Sequence, residues 1–171
     1  MEHWPRFGRA LLVVVALAGC SSGEPDQPSS GVPQVENPRD ASGADPCSLL
    51  AAGQLAGFGL SGPAIATTVP EGPRCTWGSG RAPTVTLTLY TGGGGLATLA
   101  QNSQPTTTRV RLAGYPALET FTERGEFCQY DVAVAADQAV MVSLEGAAPD
   151  SCTALQAVVP AVLSNLPPLA G

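Results

Sequence analysis

Lysine is absent from this chain of 171 residues, histidine occurs once, at His3, and aromatic residues make up only 5%. Each shortage excludes a class of function. Eight arginines stand scattered against fourteen acids, for a formal charge of −6. Such a surface offers no basic stripe to neutralise nucleic-acid phosphates and no polybasic patch to hold anionic lipid. His3 lies in a segment expected to be removed, which leaves no imidazole for a Ser-His-Asp or Cys-His nucleophile, a His-ligated zinc or a haem. The scarcity of aromatics also argues against a sugar-binding cleft. Long apolar runs are missing too. The longest, Ala10 to Ala18, falls well short of the roughly 20 residues that cross a bilayer.

That short run is nevertheless the most informative stretch of the chain. Arg6 and Arg9 precede it and Leu17-Ala18-Gly19-Cys20 closes it, the order of a charged n-region, an h-region and a lipobox. Residues 1–19 are therefore expected to be a lipoprotein signal peptide, and Cys20 the lipidated N-terminus of an exported protein. An ordinary secretory peptide with a chance cysteine is the alternative. Cleavage would remove Arg6, Arg9 and Glu2 and shift the charge from −6 to −7. A diacylglycerol supplies the two chains that stable anchoring takes, at about 0.8 kcal/mol for each buried CH₂. The expected location is the extracytoplasmic face of the cell membrane. Residues 20–44, rich in Ser, Gly, Pro, Asp and Glu, read as the lipidated cysteine followed by a disordered tether. Residues 45–171 then make one domain of ordinary size.

Beyond Cys20 the cysteines are Cys47, Cys75, Cys128 and Cys152. An even set in an exported domain implies two disulfides, and the lack of any C-x-x-C pair argues against zinc or a redox-active site. Three connectivities are possible. Cys47–Cys75 and Cys128–Cys152 is the expected one, because each bond links a helix start to a nearby strand.

Asp45-Pro46-Cys47 has the makings of a helix N-terminus, with a capping carboxylate and a proline at the first helical position. Cys47, Leu50, Ala51, Leu55 and Phe58 recur at helical spacing after it, and Gly57 and Gly59 end the run. Asp150-Ser151-Cys152 repeats the opening, with a stripe of Cys152, Leu155, Val159, Val162, Leu163 and Leu166 interrupted by Pro160. Between these helices the period falls to two. Thr84–Tyr90, the Arg109–Leu112 stretch, Cys128–Val134 and Val140–Leu144 alternate as strands, and the last two form a hairpin across Ala136-Asp137-Gln138. Cys75–Trp77 and Ala117–Phe121 are shorter strands, and Leu96–Asn102 a short helix. The order α-β-β-α-β-β-β-β-α predicts an α+β fold: an antiparallel sheet of five or six strands with helices on one face.

The lipobox, the Ser/Pro-rich tether, Asp45-Pro46-Cys47-Ser48-Leu49-Leu50, Cys75-Thr76-Trp77 and Gly114-Tyr115-Pro116-Ala117, with Cys128 and Cys152 after it, together resemble the actinobacterial lipoproteins of domain of unknown function 3558. The resemblance covers nearly the whole domain. It implies an α/β sandwich like that of small envelope lipoproteins and the PsbP proteins. It carries over no activity and no catalytic residue.

Other groups invite chemistry and have plainer readings beside it. Gly92–Gly95 sits between a strand and a helix like a phosphate loop, but Leu96-Ala97 replaces the required Lys-Ser/Thr, which favours a connection. Glu119, Glu123, Glu126 and Asp131 include enough carboxylates for glycoside hydrolysis, yet acids around a turn with Arg124 and Gly125 read as a solvated hairpin. Trp77, beside Cys75, is expected to pack on the disulfide rather than stack on a ligand. Arg109 and Arg111 point to a polar strand face, and Ser48, Ser143 and Ser151 lack a base. No cofactor, metal or catalytic residue is expected. The favoured function is a non-enzymatic interaction module that docks an envelope or secretion protein, with the membrane held through Cys20. The alternative is a small-ligand lipoprotein holding a lipid or glycolipid in an apolar cavity between sheet and helices.

Overall fold

The computed structural model describes residues 34–57, 59–60, 63–78, 83–122, 124, 126–146 and 151–170. The lipobox, Phe58, Glu123, Gly125 and Asp150 lie outside them. Seven antiparallel strands form one sheet: β1 (Ile65–Val69), β2 (Gly72–Trp77), β3 (Thr84–Tyr90), β4 (Thr107–Leu112), β5 (Tyr115–Phe121), β6 (Phe127–Ala133) and β7 (Ala139–Glu145). Their spatial order is β1-β2-β3-β7-β6-β5-β4. Two meanders, β1 to β3 and β4 to β7, therefore meet where β3 pairs with β7. The helices are α1 (Ala52–Ala56), α2 (Gly95–Gln101) and α3 (Ser151–Asn165), preceded by a 3-10 turn at Pro46–Ser48. The α+β fold read from the sequence is the fold observed, with one strand more than the upper expectation. The addition is β1.

Register defines two faces. Leu87 pairs Val142 and Val142 pairs Tyr130, while Val85 pairs Leu144 and Leu144 pairs Cys128, so these side chains share one face. Against it lie the Pro46–Ser48 turn and α3, whose Leu155, Val159 and Val162 are at most 1% exposed. Every aliphatic residue of the α3 stripe is buried, and the helix runs on through Pro160. Pro160 and Gln156, the residue whose carbonyl loses its partner to the proline, are both exposed, so water can serve that carbonyl.

The helices do not all share that face. Leu96 of α2 packs on Leu118 and Ala133, which alternate with the inward Ala117 and Val132 and so point the other way. The connection from central β3 to edge β4 has to cross β7, β6 and β5. Since α3 occupies the inner face, α2 crosses on the outer one.

The first helix also differs from expectation. Asp45 caps it, its carboxylate accepting from the Cys47 N–H at 2.9 Å, but the turn is 3-10 and ends at Ser48. The chain then extends at Ala51, whose N–H donates to Gln54 Oε1 at 2.7 Å and starts the separate α1. Leu49, Leu50 and Leu55 are buried and Ala51 is exposed, and in one continuous helix Leu55 would lie more than about 100° around the axis from both Leu49 and Leu50, off the buried stripe.

Residues 37–41, assigned from composition to the tether, are part of the folded body. The Arg39 N–H donates to the Val134 carbonyl at 2.8 Å, the Asp40 N–H to the Pro167 carbonyl at 2.9 Å and the Ala41 N–H to Gln138 Oε1 at 2.7 Å. The Tyr115 hydroxyl donates to the Asn37 carbonyl at 2.7 Å, the Leu169 N–H donates to the Pro38 carbonyl at 3.0 Å, and Ala41 is fully buried. This strap ties the incoming chain to the β6–β7 turn and to the tail after α3. The folded body starts ahead of Asp45.

Candidate functional site

Both disulfides have the expected connectivity: Cys47–Cys75 and Cys128–Cys152, with Cα–Cα separations of 5.1 Å each. Cys75 and Cys128 are buried strand residues on the inner face, and their partners open the 3-10 turn and α3. Each bond pins a helical element to the sheet at the start of that element. The enclosed segments, with separations of 28 and 24, correspond to about 3–4 kcal/mol apiece in the chain-entropy account. Trp77 is 3% exposed and belongs to the same core, so its role is packing.

The acids singled out from the sequence are not brought together. Glu119 pairs Tyr130 on the inner face, whereas Asp131, the next residue along, points to the outer face. Glu126 sits at the β5–β6 turn, its carbonyl accepting from Gly146 at 2.7 Å. A carboxylate pair flanking one glycosidic bond needs both groups on one cleft, and Glu119 and Asp131 are on opposite sides of the sheet.

Glu119 instead belongs to a local cluster with Tyr130 and the second disulfide. Its carboxylate and the sulfurs of Cys128 and Cys152 lie within 4.8 Å of one another. That grouping has the composition of a metal site, but both sulfurs are committed to the S–S bond and offer no thiolate. Tyr130 is the true partner of Glu119. Burial first, then the charge and hydrogen bond of Glu119, push the phenol up to about 12.

Asp131 is the unusual residue of the outer face. It is 5% exposed, and among the described residues Gln129 serves it, donating from Nε2 to Oδ1 at 2.8 Å. Burial raises its carboxyl to about 6, and the Gln129 bond offsets only part of that. Nearby on the same face, Thr88 is buried beneath Arg74, whose Nε donates to Thr88 Oγ1 at 2.9 Å. No pattern of the sequence had singled out Asp131 as buried. Its position between Tyr130 and Val132, two residues that face inward, signals only that it faces outward.

Among the described residues, clefts border the sheet at two places. One, of about 80 Å³, lies between α2 and the β4–β5 hairpin, lined by Leu96, Ala97, Ala100, Pro116 and Leu118 with Arg109. It is far below the roughly 300–1,000 Å³ of ligand pockets. The other, of about 280 Å³, lies where Ala44–Pro46 meets β1 and β2. Arg111 is exposed, with Glu36 at 3.7 Å and the Gly114 carbonyl as partners, an ion pair of small energetic weight. Ser48 donates to the Asp45 carbonyl at 2.8 Å, Ser143 stands on the outer face opposite Gln129, and Ser151 is buried. The glycine run serves close approach. Gly95 has φ +46, and a Cβ there would sit 2.9 Å from backbone atoms of Asp137 and Gln138. Gly95 thus lets α2 rest on the β6–β7 turn.

Among the described residues, no helix is long and apolar enough to cross a membrane. No curated protein and no solved structure matches the chain. A family model described as "Protein of unknown function (DUF3558)" matches residues 15–165, which takes in the disulfide-stapled sheet, the strap and the whole of α3. The chain belongs to the DUF3558 family of proteins of unknown function.

Proposed function

We propose that this protein is a lipoprotein held by Cys20 on the extracytoplasmic face of the cell membrane, where it acts as a non-enzymatic docking module. The strap is the observation that carries this reading. Residues 37–41 are hydrogen-bonded into the end of the sheet that carries the β6–β7 turn and the tail after α3, so any anchor upstream leaves from that end. Val35 packs against the body and Glu36 pairs with Arg111, so the expected tether shortens to residues 21–34, a length that as a coil would span on the order of 20 Å. The membrane then faces the β6–β7 end, and the β5–β6 turn and β7 terminus point away from it. Two disulfides suit an oxidising compartment.

The layer in which a lipid would lie is occupied. Leu87, Val140, Val142, Leu155, Val159 and Val162 fill the space between sheet and α3, each at most 1% exposed. Docking by surface is therefore favoured over cargo held between the layers. Replacing Cys20 with Ser is expected to move the protein from the membrane fraction into the medium with its fold intact. Retention of the Cys20→Ser chain on membranes would refute the anchor.

A further inference from the structure

The two edges of the sheet are built differently. At one edge β4 carries the exposed Arg109 and Arg111, with Glu36 seated on Arg111. Antiparallel pairing of β4 with its own copy about Val110 would set Arg109 opposite Arg111, like charge against like. Charged edge strands of this kind resist pairing with other chains. At the other edge β1, Ile65-Ala66-Thr67-Thr68-Val69, has no charge at all. Its first four residues are exposed, and Ile65 at 54% is the most exposed large apolar side chain among the described residues. Among the described residues, no strand lies beside the outward row of β1 backbone groups. Pro63 and Pro70 bracket the strand and lack the N–H groups that would extend a ladder past it.

We infer that β1 pairs antiparallel with β1 of a second copy, about a two-fold axis at Thr67. The sequence is self-complementary in that register: Ile65 faces Val69, Ala66 faces Thr68 and Thr67 faces Thr67. Ile65 meets the branched Val69, the two Thr67 hydroxyls can exchange a hydrogen bond, and no like charges oppose. Ile65, Thr67 and Val69 lie on the outer face with Arg74, so a second copy extends this stripe across the seam. The contact is isologous: it uses both free edges, leaves an arginine-guarded β4 at each end, and closes as a dimer instead of growing into a fibre. Five residues a side is small beside the roughly 20–30 of a standard interface, so the dimer is weak in free solution. It gains from confinement on one leaflet, which raises effective concentration; that part rests on the lipid anchor proposed above.

The test uses the full chain on native membranes, carrying Thr67→Cys and treated with a mild thiol oxidant. A covalent dimer is expected, at least about tenfold more than from Thr108→Cys on the opposite edge, and adding Ala66→Lys should suppress it as edge lysines do. Equal cross-linking at both edges, or none at Thr67→Cys, overturns the pairing. The unmutated chain supplies a second reading that needs no folding assumption. Amide exchange in residues 65–69 should slow as concentration rises while that of residues 107–112 does not, and concentration-independent exchange in both overturns the proposal. The lipid on Cys20 is read from the mass of the same sample. A lipidated chain that fails to pair removes the dimer and spares the anchor; an unlipidated chain that pairs at high concentration does the reverse.

Discussion

The inner and outer faces of this sheet are made by the same strands and have opposite chemistry. Inward, Val85, Leu87, Leu89, Val140, Val142 and Leu144 are fully buried beneath α3 and the Pro46–Ser48 turn, and both disulfides lie on this side. Outward, the same two strands present Thr84, Thr86, Thr88, Met141 and Ser143, mostly half-exposed, and β6 adds Gln129 and the buried Asp131. The inner face supplies stability by burial and cross-linking. The outer face is cheap to alter at most positions, and Asp131 stands there at a cost to stability.

Four variants sharpen that contrast, taken in order of expected effect. Leu87→Ala on the inner face should destabilise by about 2–5 kcal/mol, measured by denaturant unfolding, since it removes a fully buried side chain from a packed layer. Converting Cys128 and Cys152 together to Ser should cost about 3 kcal/mol through the freed loop. Asp131→Asn should do the opposite and stabilise by roughly 2–3 kcal/mol at pH 7. Burial raises the folded carboxyl from 3.8 to about 6, so the stability linked to its proton is full below about pH 4 and is lost as pH rises through 6. The advantage of Asp131→Asn should thus be absent near pH 3.5 and grow to its plateau above pH 6; a pH-independent difference would contradict the burial account. Thr86→Ala, one residue from Leu87 and on the outer face, should change stability by no more than about 0.5 kcal/mol.

The strands with one buried face were legible because their alternation survives in the sequence, as in Val85, Leu87 and Leu89 among threonines. The α3 stripe and the disulfide pairing were legible for a related reason: each cysteine pair joins a helix start to an inward strand position. The edge strand β1 was not, since both of its faces are largely exposed and burial never imposed alternation on Ile65–Val69. The strap was hidden by its composition. Asn37-Pro38-Arg39-Asp40-Ala41 is docked chiefly by backbone hydrogen bonds, which leave no hydrophobic signature. The sequence also could not say which face α2 would take, because Leu96 and Leu99 look the same over either one. Strand order decides it.

Of the candidate site, the disulfides and the packing role of Trp77 were readable from spacing. The separation of Glu119 from Asp131 could not be read from their spacing, since residues twelve apart share a face only within one unbroken strand. The β5–β6 turn intervenes, resets the parity and sends the two carboxylates to opposite sides.

The central claim, an exported domain fastened by lipid at Cys20 and stapled by two S–S bonds, is tested most directly by the intact mass of the protein taken from native membranes, alkylated without reductant. The account predicts a chain that begins at Cys20, carries acyl mass on that residue and takes up no alkylating reagent at Cys47, Cys75, Cys128 or Cys152. A bare Cys20, or four alkylated thiols, would contradict it.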